Sequence, residues 1–391
     1  MFVVDNREAV GSDNPGLHAL LIGISEYPYL SKRKDPSPNT PFGFWKVTGP
    51  AASALALADW LEKADAAGIL ALPLKTIRLL WLPSDAEIAP GSKLAEKAST
   101  AVDAESVRTA IEQWRDECNS NPKNVAFFYF SGHGVNASPD DVFLAMGDVG
   151  RQGDSATTIR RCICVQSIFK AMAPSRKQMN MALKQFYFID ACRTIADIED
   201  PTADTKIGGN SPGRYDTDAE RAAPIYFGAT SGEPAFADSA DGTRFGKALL
   251  RVLENSSAEA QADGGGKIIY PINTDSLRVA INNAMGQELL VRGHAKNATL
   301  IVRSTAPETN VSVQVLPDEK ASNISVDIFN VDQNCLFCSI KPVQPNAYPF
   351  KAPIGRYRLE AHLVNSSARV CLLPARTFVG PLERWIVDAR S

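Results

Sequence analysis

The sequence has no surplus of positive charge, no long apolar run and few cysteines, and each absence excludes a class of protein. Its 391 residues contain 41 Lys and Arg against 44 Asp and Glu, a net charge of -3, so the composition does not favour binding to nucleic acid or to an anionic membrane. No stretch reaches the roughly 18 consecutive apolar residues that indicate a transmembrane helix. The hydrophobic content of 45% and the charged content of 22% are typical of a folded globular protein.

The cysteines are too few and too scattered for a secreted, disulfide-rich protein. There are seven, an odd number without regular spacing: Cys118, Cys162, Cys164, Cys192, Cys335, Cys338 and Cys371. This pattern favours a reducing compartment. The first 15 residues include acids and lack a basic segment followed by an apolar run, so we expect no signal peptide. We therefore expect a cytoplasmic protein that has neither nucleic acid nor a membrane as a partner.

Strand-like and helix-like segments alternate over the first 290 or so residues. This alternation predicts an α/β fold with a mostly parallel sheet and helices on both faces. Apolar runs indicate strands at 19–24, 75–82, 124–130, 185–189 and 224–229. Helices are expected at 51–67, from Asp103 onward, at 244–253 and around 275–290. The strands at 124–130 and 185–189 are apolar throughout, as expected for strands that are buried on both faces.

Two segments depart from this alternation. Residues 194–222 are rich in Asp, Gly, Pro and Thr and predict a long exposed loop, which in a compact domain is usually functional or disordered. From Ala298 apolar and polar residues alternate between turn residues, which predicts an all-β, antiparallel sandwich. We place the domain boundary between residues 294 and 295.

Residues that can carry chemistry follow two of the predicted strands. Ser131-Gly132-His133-Gly134 follows the strand at 124–130, and Asp190-Ala191-Cys192-Arg193 follows the strand at 185–189. Since ligands bind outside the carboxyl ends of parallel strands, we expect His133 to face Cys192. An imidazole can take the proton of a thiol nucleophile, and the amides of Gly134 and Cys192 can stabilise an oxyanion. These are the parts of an acyl-transfer site.

Each residue of this pair also has a simpler explanation. A cysteine after an apolar strand is often a small buried core residue, and a lone histidine is often a hydrogen-bonding partner. Both residues occur at matching strand ends, each in a turn. That coincidence favours the functional interpretation.

Together, an apolar strand followed by SGHG and an apolar strand followed by DACR resemble the caspase/metacaspase group of cysteine peptidases. The likeness covers roughly residues 17–290 and extends to the opening LLIGISEYPYL and to IYFGATSGEPAFAD. It implies a caspase-like sheet, a large-subunit-like region at 1–193 and a small-subunit-like region at 223–294. It also implies peptide-bond hydrolysis, with His133 as general acid/base, Cys192 as nucleophile, and the Gly134 and Cys192 amides as oxyanion hole.

The resemblance also bears on the substrate residue before the cleaved bond, P1. Metacaspases and their bacterial relatives prefer Arg or Lys there and carry an Asp two residues before the cysteine, the position of Asp190. A second family acid is replaced around Ala52-Ser53, and the arginine that helps caspases hold a P1 aspartate is absent from 44–49. Asp190 predicts a basic P1, because a buried carboxylate prefers a cationic partner. A hydrogen-bonded turn acid is the alternative for Asp190.

Members of this family often mature by cleavage after the catalytic cysteine. The predicted loop contains Lys206, Arg214 and Arg221, and with a basic P1 preference each is a candidate processing site. The cut would be made in cis or by an upstream protease, so we expect an activating protease or regulatory protein among the partners.

No metal or other cofactor is expected. Metacaspases often need calcium, and Asp148 matches one family acid, but residues 160–165 supply no acid where the family has a pair. Calcium requires six to eight oxygen ligands. Cys162 with Cys164, and Cys335 with Cys338, each supply two ligands, whereas a structural zinc needs four.

We therefore expect a bacterial-type, caspase-like cysteine endopeptidase that acts on proteins or peptides. The family commonly serves stress, defence or programmed-death pathways. The C-terminal sandwich resembles modules that dock, regulate or recruit substrates. Two alternatives remain open: a scaffold with an inert Cys192 that binds a partner through the sandwich, and a protease that is latent until it is released.

Overall fold

The structure, a computed structural model, describes most of the chain in two compact units. The described residues are 2–31, 40–88, 102–138, 141–153, 155, 157–175, 180–196, 198, 220–229, 239–257, 260–294, 296–331, 333–341, 343, 348–353, 355–364, 369–378 and 382–388. The first unit comprises Met1–Leu250 with Glu288–Ala298, and the second Arg251–Gln287 with Thr299–Ser391. Each unit is a group of residues that pack together. This grouping does not test the domain boundary between residues 294 and 295, which stays a prediction.

The first unit contains most of the alternating strands and helices. In chain order they are β1 (Phe2–Asp5), α1 (Arg7–Val10), β2 (Leu17–Ile24), α2 (Pro50–Ala66), β3 (Leu74–Leu82), α3 (Ala104–Cys118), β4 (Val125–Gly132), β5 (Gly134–Asn136), β6 (Val142–Ala145), β7 (Cys162–Cys164), α4 (Val165–Ala171), β8 (Lys184–Ala191), β9 (Thr194–Ile195) and β10 (Ala223–Phe227). Helix α5 (Arg244–Asn255) runs from the first unit into the second.

The second unit begins with β11 (Gln261–Ala262), β12 (Ile268–Asn273) and α6 (Thr274–Met285). Strand β13 (Leu290–His294) returns to the first unit. The remaining strands are β14 (Thr299–Arg303), β15 (Glu308–Leu316), β16 (Ile324–Asn330), β17 (Cys335–Ile340), β18 (Tyr348–Pro353), β19 (Gly355–Leu363), β20 (Arg369–Phe378) and β21 (Leu382–Asp388).

A seven-stranded sheet forms the centre of the first unit. Its order is β1-β3-β2-β4-β8-β10-β13. The five inner strands are parallel, whereas β1 and β13 are antiparallel strands at the edges. This is the mostly parallel sheet that the sequence predicted.

Helices cover both faces of this sheet because its inner strands are apolar on both sides. On one face Trp114 of α3 packs 5.8 Å from Phe128 of β4, ring centre to ring centre. On the other face Gly23 of β2 lies against the start of α2, where an added Cβ would be 2.8 Å from both the Ala51 Cα and the Ala54 Cβ. Only glycine therefore allows α2 to pack this closely on the sheet.

Local sequence signals set most helix ends. Helix α2 begins with Pro50 as its first residue, where proline's missing N–H costs nothing. The Asp103 carboxylate accepts a 2.8 Å bond from the Ser106 amide and caps α3, at the helix start that the sequence predicted. The helix expected to reach residue 290 ends earlier, because Gly286 takes the left-handed conformation with φ 67°. Leu290 belongs instead to strand β13.

The C-terminal part of the second unit is a β-sandwich. One sheet has the order β18-β15-β21 and the other β17-β16-β19-β20. Both sheets contribute to a single apolar core that includes Val313, Ile328, Leu359 and Trp385. The sandwich was expected, but it is not purely antiparallel, because β15 and β21 pair in parallel. Among the described residues of the whole chain, every helix is too short or too polar to cross a membrane.

Replacing Asp103 with Ala should destabilise the first unit by about 1 kcal/mol, the usual cost of losing a helix N-cap. The Ser106 amide holds the pKa of Asp103 below its ordinary value of 3.8, so this stabilisation is present above that pH and is lost as pH falls below it. Urea unfolding at pH 7 measures the change. Asp103→Asn, which keeps a capping oxygen, should lose much less. Equal losses in both variants would contradict the capping role.

Candidate active site

The two predicted strand-end motifs lie side by side. Strands β4 and β8 are parallel neighbours in which Gly132 is the register partner of Ala191. Beyond them β5 and β9 pair with the same offset, since Val135 is aligned with Thr194. His133 and Cys192 lie between these two aligned pairs and therefore occupy matching positions at the carboxyl edge of the sheet. The structure thus brings the two residues together as the sequence predicted.

His133 is held on several sides. Its backbone N–H donates a 2.9 Å hydrogen bond to the Tyr27 hydroxyl, and its Nε2 contacts the carbonyl oxygen of Trp45. The ring of Phe44 stacks on the imidazole, with centroids 4.4 Å apart and planes 9° from parallel. Because a carbonyl oxygen can only accept, Nε2 carries the proton and Nδ1 is the basic ring nitrogen.

This enclosure makes His133 a neutral side chain at ordinary pH. Burial lowers the pKa of its imidazole to about 4, although the bond to Trp45 opposes this shift. A neutral imidazole with a free Nδ1 is the form that can accept a proton from a thiol. No local pattern predicts the contacts of Tyr27, Phe44 and Trp45 with His133, because these residues lie far from His133 along the chain.

Cys192 differs in exposure from the other three cysteines of the first unit. It is partly exposed and forms no disulfide, whereas Cys118, Cys162 and Cys164 are buried. Burial raises the pKa of the Cys118 and Cys164 thiols, which reduces their reactivity. Cys192 therefore combines access to solvent with a neighbouring histidine.

Gly134 allows the two strand ends to approach each other. A Cβ at this position would lie 2.8 Å from the Cys192 carbonyl oxygen and 2.9 Å from the Ala191 Cβ. Both distances are too short for a side chain, so glycine is required by packing. Its position next to Cys192 is compatible with the predicted role of its amide as an oxyanion donor.

Asp190 lies beneath the site in a cluster of hydroxyl groups. Its Oδ2 accepts hydrogen bonds from Tyr129 at 3.1 Å, from Ser131 at 2.9 Å and from Thr243. The Thr243 hydroxyl lies 3.1 Å from that of Ser53. Burial raises the pKa of Asp190, while the three hydroxyl donors oppose the rise. All three bonds reach the same oxygen, and none of them uses Oδ1.

A search of known protein families matches this chain to the caspase domain over residues 17–263. The match includes both strand-end motifs and the five parallel inner strands of the sheet. The chain belongs to the caspase-domain family of cysteine peptidases. The expectation drawn from SGHG and DACR is thereby confirmed at the level of the family.

Individual relatives are more distant. The uncharacterized protein y4kE of Sinorhizobium fredii is 28% identical over 248 residues, which cover 61% of this chain and 64% of y4kE. A probable protease of a Desulfuromonadales bacterium is 28% identical over 181 residues, covering 45% of this chain and 18% of that protein. The chain thus spans less than two thirds of either relative. Caspase-1 of Spodoptera frugiperda aligns with a TM-score of 0.41 at 11% identity, covering 72% of this chain and 89% of that structure.

Of the three predicted processing sites in this caspase-family chain, the structure describes only Arg221. Lys206 and Arg214 lie outside the described residues, as does most of the predicted loop. Arg221 was expected to be exposed, and this was wrong, because its side chain is only 1% exposed. Its guanidinium donates to the Phe169 carbonyl at 2.8 Å and to the Gln185 side chain at 2.7 Å. A buried, hydrogen-bonded arginine is a poor position for proteolysis.

The residues considered as metal ligands have other partners. Asp148 accepts a 3.0 Å bond from the Ala104 amide at the start of α3 and forms a 3.2 Å ion pair with Arg161. Cys162 and Cys164 are buried in β7. Within the described part of the chain, no cluster of three or more His, Cys, Asp or Glu side chains is arranged to bind a metal ion.

The imidazole of His133 should titrate near pH 4, which NMR of histidine-labelled protein can measure. Replacing Phe44 with Ala should raise this pKa toward the ordinary value of 6.5, because water would then reach and stabilise the imidazolium. Burial of this neutral ring should also make the folded state less stable as pH falls from about 6.5 to 4, since only the unfolded chain binds the proton there.

Phe42→Ala is the matched control for this titration. The Phe42 ring packs on Phe44, with centroids 5.4 Å apart, so its removal should change the pKa of His133 much less. Loss of this titrating NMR signal in the His133→Asn variant would assign the signal to His133. A midpoint near 6.5 in the unmodified protein would contradict the enclosed geometry.

Proposed function

We propose that this chain is a cysteine endopeptidase in which Cys192 is the nucleophile and His133 the general acid/base. The observation that supports this most directly is the matched register of the two residues at the carboxyl edge of the sheet. The Trp45 contact, which leaves Nδ1 of His133 as the base, and the partial exposure of Cys192 agree with these roles.

In the proposed reaction Nδ1 of His133 accepts the thiol proton as the Cys192 sulfur attacks the carbonyl carbon of the scissile peptide bond. The C–N bond then breaks, and the imidazolium returns the proton to the leaving amine. Water then attacks the carbonyl carbon of the resulting thioester and gives a proton to Nδ1. The C–S bond breaks, and the imidazolium passes that proton to the leaving sulfur, which restores the thiol and the neutral imidazole. The Gly134 and Cys192 amides would stabilise the negative oxygen formed in both halves of the reaction.

Cys192→Ala should abolish hydrolysis of fluorogenic peptides, whereas Cys371→Ala should leave it unchanged. Cys371 is also partly exposed but lies in the β-sandwich, so it is the matched control for a general loss of thiols. The fluorogenic peptides form a panel in which the P1 residue is Arg, Lys, Asp, Leu or Ala. Equal activity in Cys192→Ala and the unmodified protein would overturn the proposal. No cleavage before or after limited trypsin treatment would favour a catalytically silent scaffold.

We further propose that the enzyme prefers Arg or Lys at P1 and that Asp190 sets this preference. The buried carboxylate lies two residues before the nucleophile, and its three hydroxyl donors all contact Oδ2. Oδ1 is therefore the oxygen proposed to meet a cationic side chain. Burial raises the pKa of Asp190. A bound cation would lower that pKa again and would keep the carboxylate ionised.

Asp190→Asn should lower kcat/KM for P1-Arg peptides by at least about 100-fold, because a buried cationic P1 would lose its counter-charge. Activity on P1-Leu peptides should change much less. Thr243→Val is the control, because it removes one hydroxyl donor and keeps the carboxylate. Melting temperatures of both variants exclude unfolding. A uniform loss over all P1 residues would indicate that Asp190 supports the backbone and not the P1 preference.

Activation by cleavage between residues 194 and 222 is also proposed, with Lys206 and Arg214 as the preferred positions. The burial of Arg221 removes it from this preference. Intact mass, measured on the same samples as the peptide assay, tests the idea. One intact chain in fully active enzyme would contradict it.

A further inference from the structure

Glu87 is a buried carboxylate that joins three segments of the first unit: the chain after β2, the start of α2 and the chain after β3. It is only 3% exposed. Its Oε1 accepts hydrogen bonds from the Ser25 hydroxyl at 3.0 Å and from the Gly49 and Ala52 amides at 2.9 and 3.1 Å. Its Oε2 accepts from the amide and the hydroxyl of Ser84, both at 2.8 Å. These five donors compensate the carboxylate for the water that it loses on burial.

Glu87 takes the place of the N-cap side chain that helix α2 lacks. The N-cap residue is Gly49, which has no side chain and has a φ of 111°, a conformation that favours glycine. A Cβ there would lie 2.8 Å from the Ser239 carbonyl oxygen, so an ordinary capping residue does not fit. The Glu87 carboxylate supplies the missing acceptor, and the Ala51 amide donates to the Ser25 hydroxyl at 3.0 Å. A negative charge at the start of a helix is also favourable.

A short segment connects this helix start to the proposed site. The strap, which we define as residues 44–49, has one end on His133, where Phe44 stacks on the imidazole and the Trp45 carbonyl contacts Nε2. At its other end the Gly49 amide donates to the buried carboxylate. The position of the strap over the imidazole therefore depends on how this second end is held.

Ser25 links the middle of the strap to the same carboxylate. Its carbonyl oxygen accepts from the Val47 amide at 3.1 Å, while its hydroxyl donates to Glu87 at 3.0 Å. Another attachment of the strap is the ion pair between Lys46 and Glu26. Because that pair is partly exposed to solvent, it should restrain the strap less than the buried carboxylate does.

We propose that Glu87 is a positioning residue of the peptidase centre, whose carboxylate fixes the start of α2 and so keeps the strap closed on His133. Glu87 acts through the strap and not on the substrate itself. Its role in catalysis rests on the proposed function. Closure of the strap does not, because it can be measured on the imidazole without any peptidase assay.

NMR titration of His133 measures the closure of the strap directly. Glu87→Ala should raise the pKa of the imidazole from about 4 toward 6.5, because an open strap would let water reach and stabilise the imidazolium. Loss of the Trp45 contact would lower this pKa, but burial is the larger of the two effects. Glu87→Gln, which keeps one acceptor oxygen, should give an intermediate pKa.

Asp103→Ala is the matched control, because it also removes a helix-capping carboxylate from the first unit and should leave the pKa of His133 near 4. In the peptide assay kcat should fall at least about tenfold in Glu87→Ala, since a misplaced base transfers protons poorly. It should change by less than about twofold in Asp103→Ala, whose cap belongs to α3. Melting temperatures are measured for each variant.

The outcomes separate this inference from the proposed function. A pKa of His133 near 4 in Glu87→Ala would overturn the inference, as would equal changes in Glu87→Ala and Asp103→Ala or an unchanged kcat. If the unmodified protein hydrolyses no peptide, the proposed function fails, and the titration still decides whether Glu87 closes the strap. If Glu87→Ala does not fold, Glu87→Gln and Ser25→Ala replace it, with a smaller rise of the pKa expected.

Discussion

The hydrogen-bond ladder between β4 and β8 is the constraint on which the proposed site depends. The two strands are apolar along their buried length. Inside a sheet their backbone N–H and C=O groups form hydrogen bonds with neighbouring strands, and their apolar side chains are covered on both faces. Their register places Ser131 opposite Asp190 and Gly132 opposite Ala191. His133 and Cys192, the next residue on each strand, therefore stand at matching positions before the pairing resumes at Val135 and Thr194. A slip of one residue would turn each side chain to the other face of the sheet. Packing of the aromatic side chains on β4 and β8 therefore protects the geometry at their ends.

Burial shifts two titratable groups at this edge, His133 and Asp190, toward their neutral forms. It lowers the pKa of His133 and raises that of Asp190. The hydrogen bonds act in the opposite direction at both sites, through the Trp45 carbonyl for His133 and through three hydroxyls for Asp190. These shifts agree with the proposed roles of His133 as a proton acceptor and of Asp190 as the partner of a cationic P1 side chain. Both properties arise from the enclosure of these groups and not from their residue types.

The amino end of the same sheet has a different character. There the strands begin among charged residues, and the Arg78–Glu117 pair and Lys75 are buried close to His18. The histidines at the two ends are both neutral, yet they are held differently. His133 donates from Nε2 to a carbonyl, whereas His18 donates from Nδ1 to a hydroxyl.

Local patterns predicted the features that depend on neighbours in the chain. Apolar runs located the inner strands, Asp103 located the start of α3, and period-two alternation located the β-sandwich. The errors occur where a single backbone conformation or a remote contact decides. Gly286 ends α6 earlier than the apolar pattern suggested, Arg221 is buried by Phe169 and Gln185, and β21 pairs in parallel with β15.

The residue sequence was sufficient for the fold class and for placing a histidine and a cysteine at the ends of two strands, because strand periodicity and strand-end motifs are properties of adjacent residues. Only the tertiary structure decided how these residues are held. The stacking of Phe44 on His133, the contact of His133 with Trp45 and the hydroxyls around Asp190 all join positions that are distant along the chain. Such contacts form when the whole sheet closes, and no local pattern encodes them.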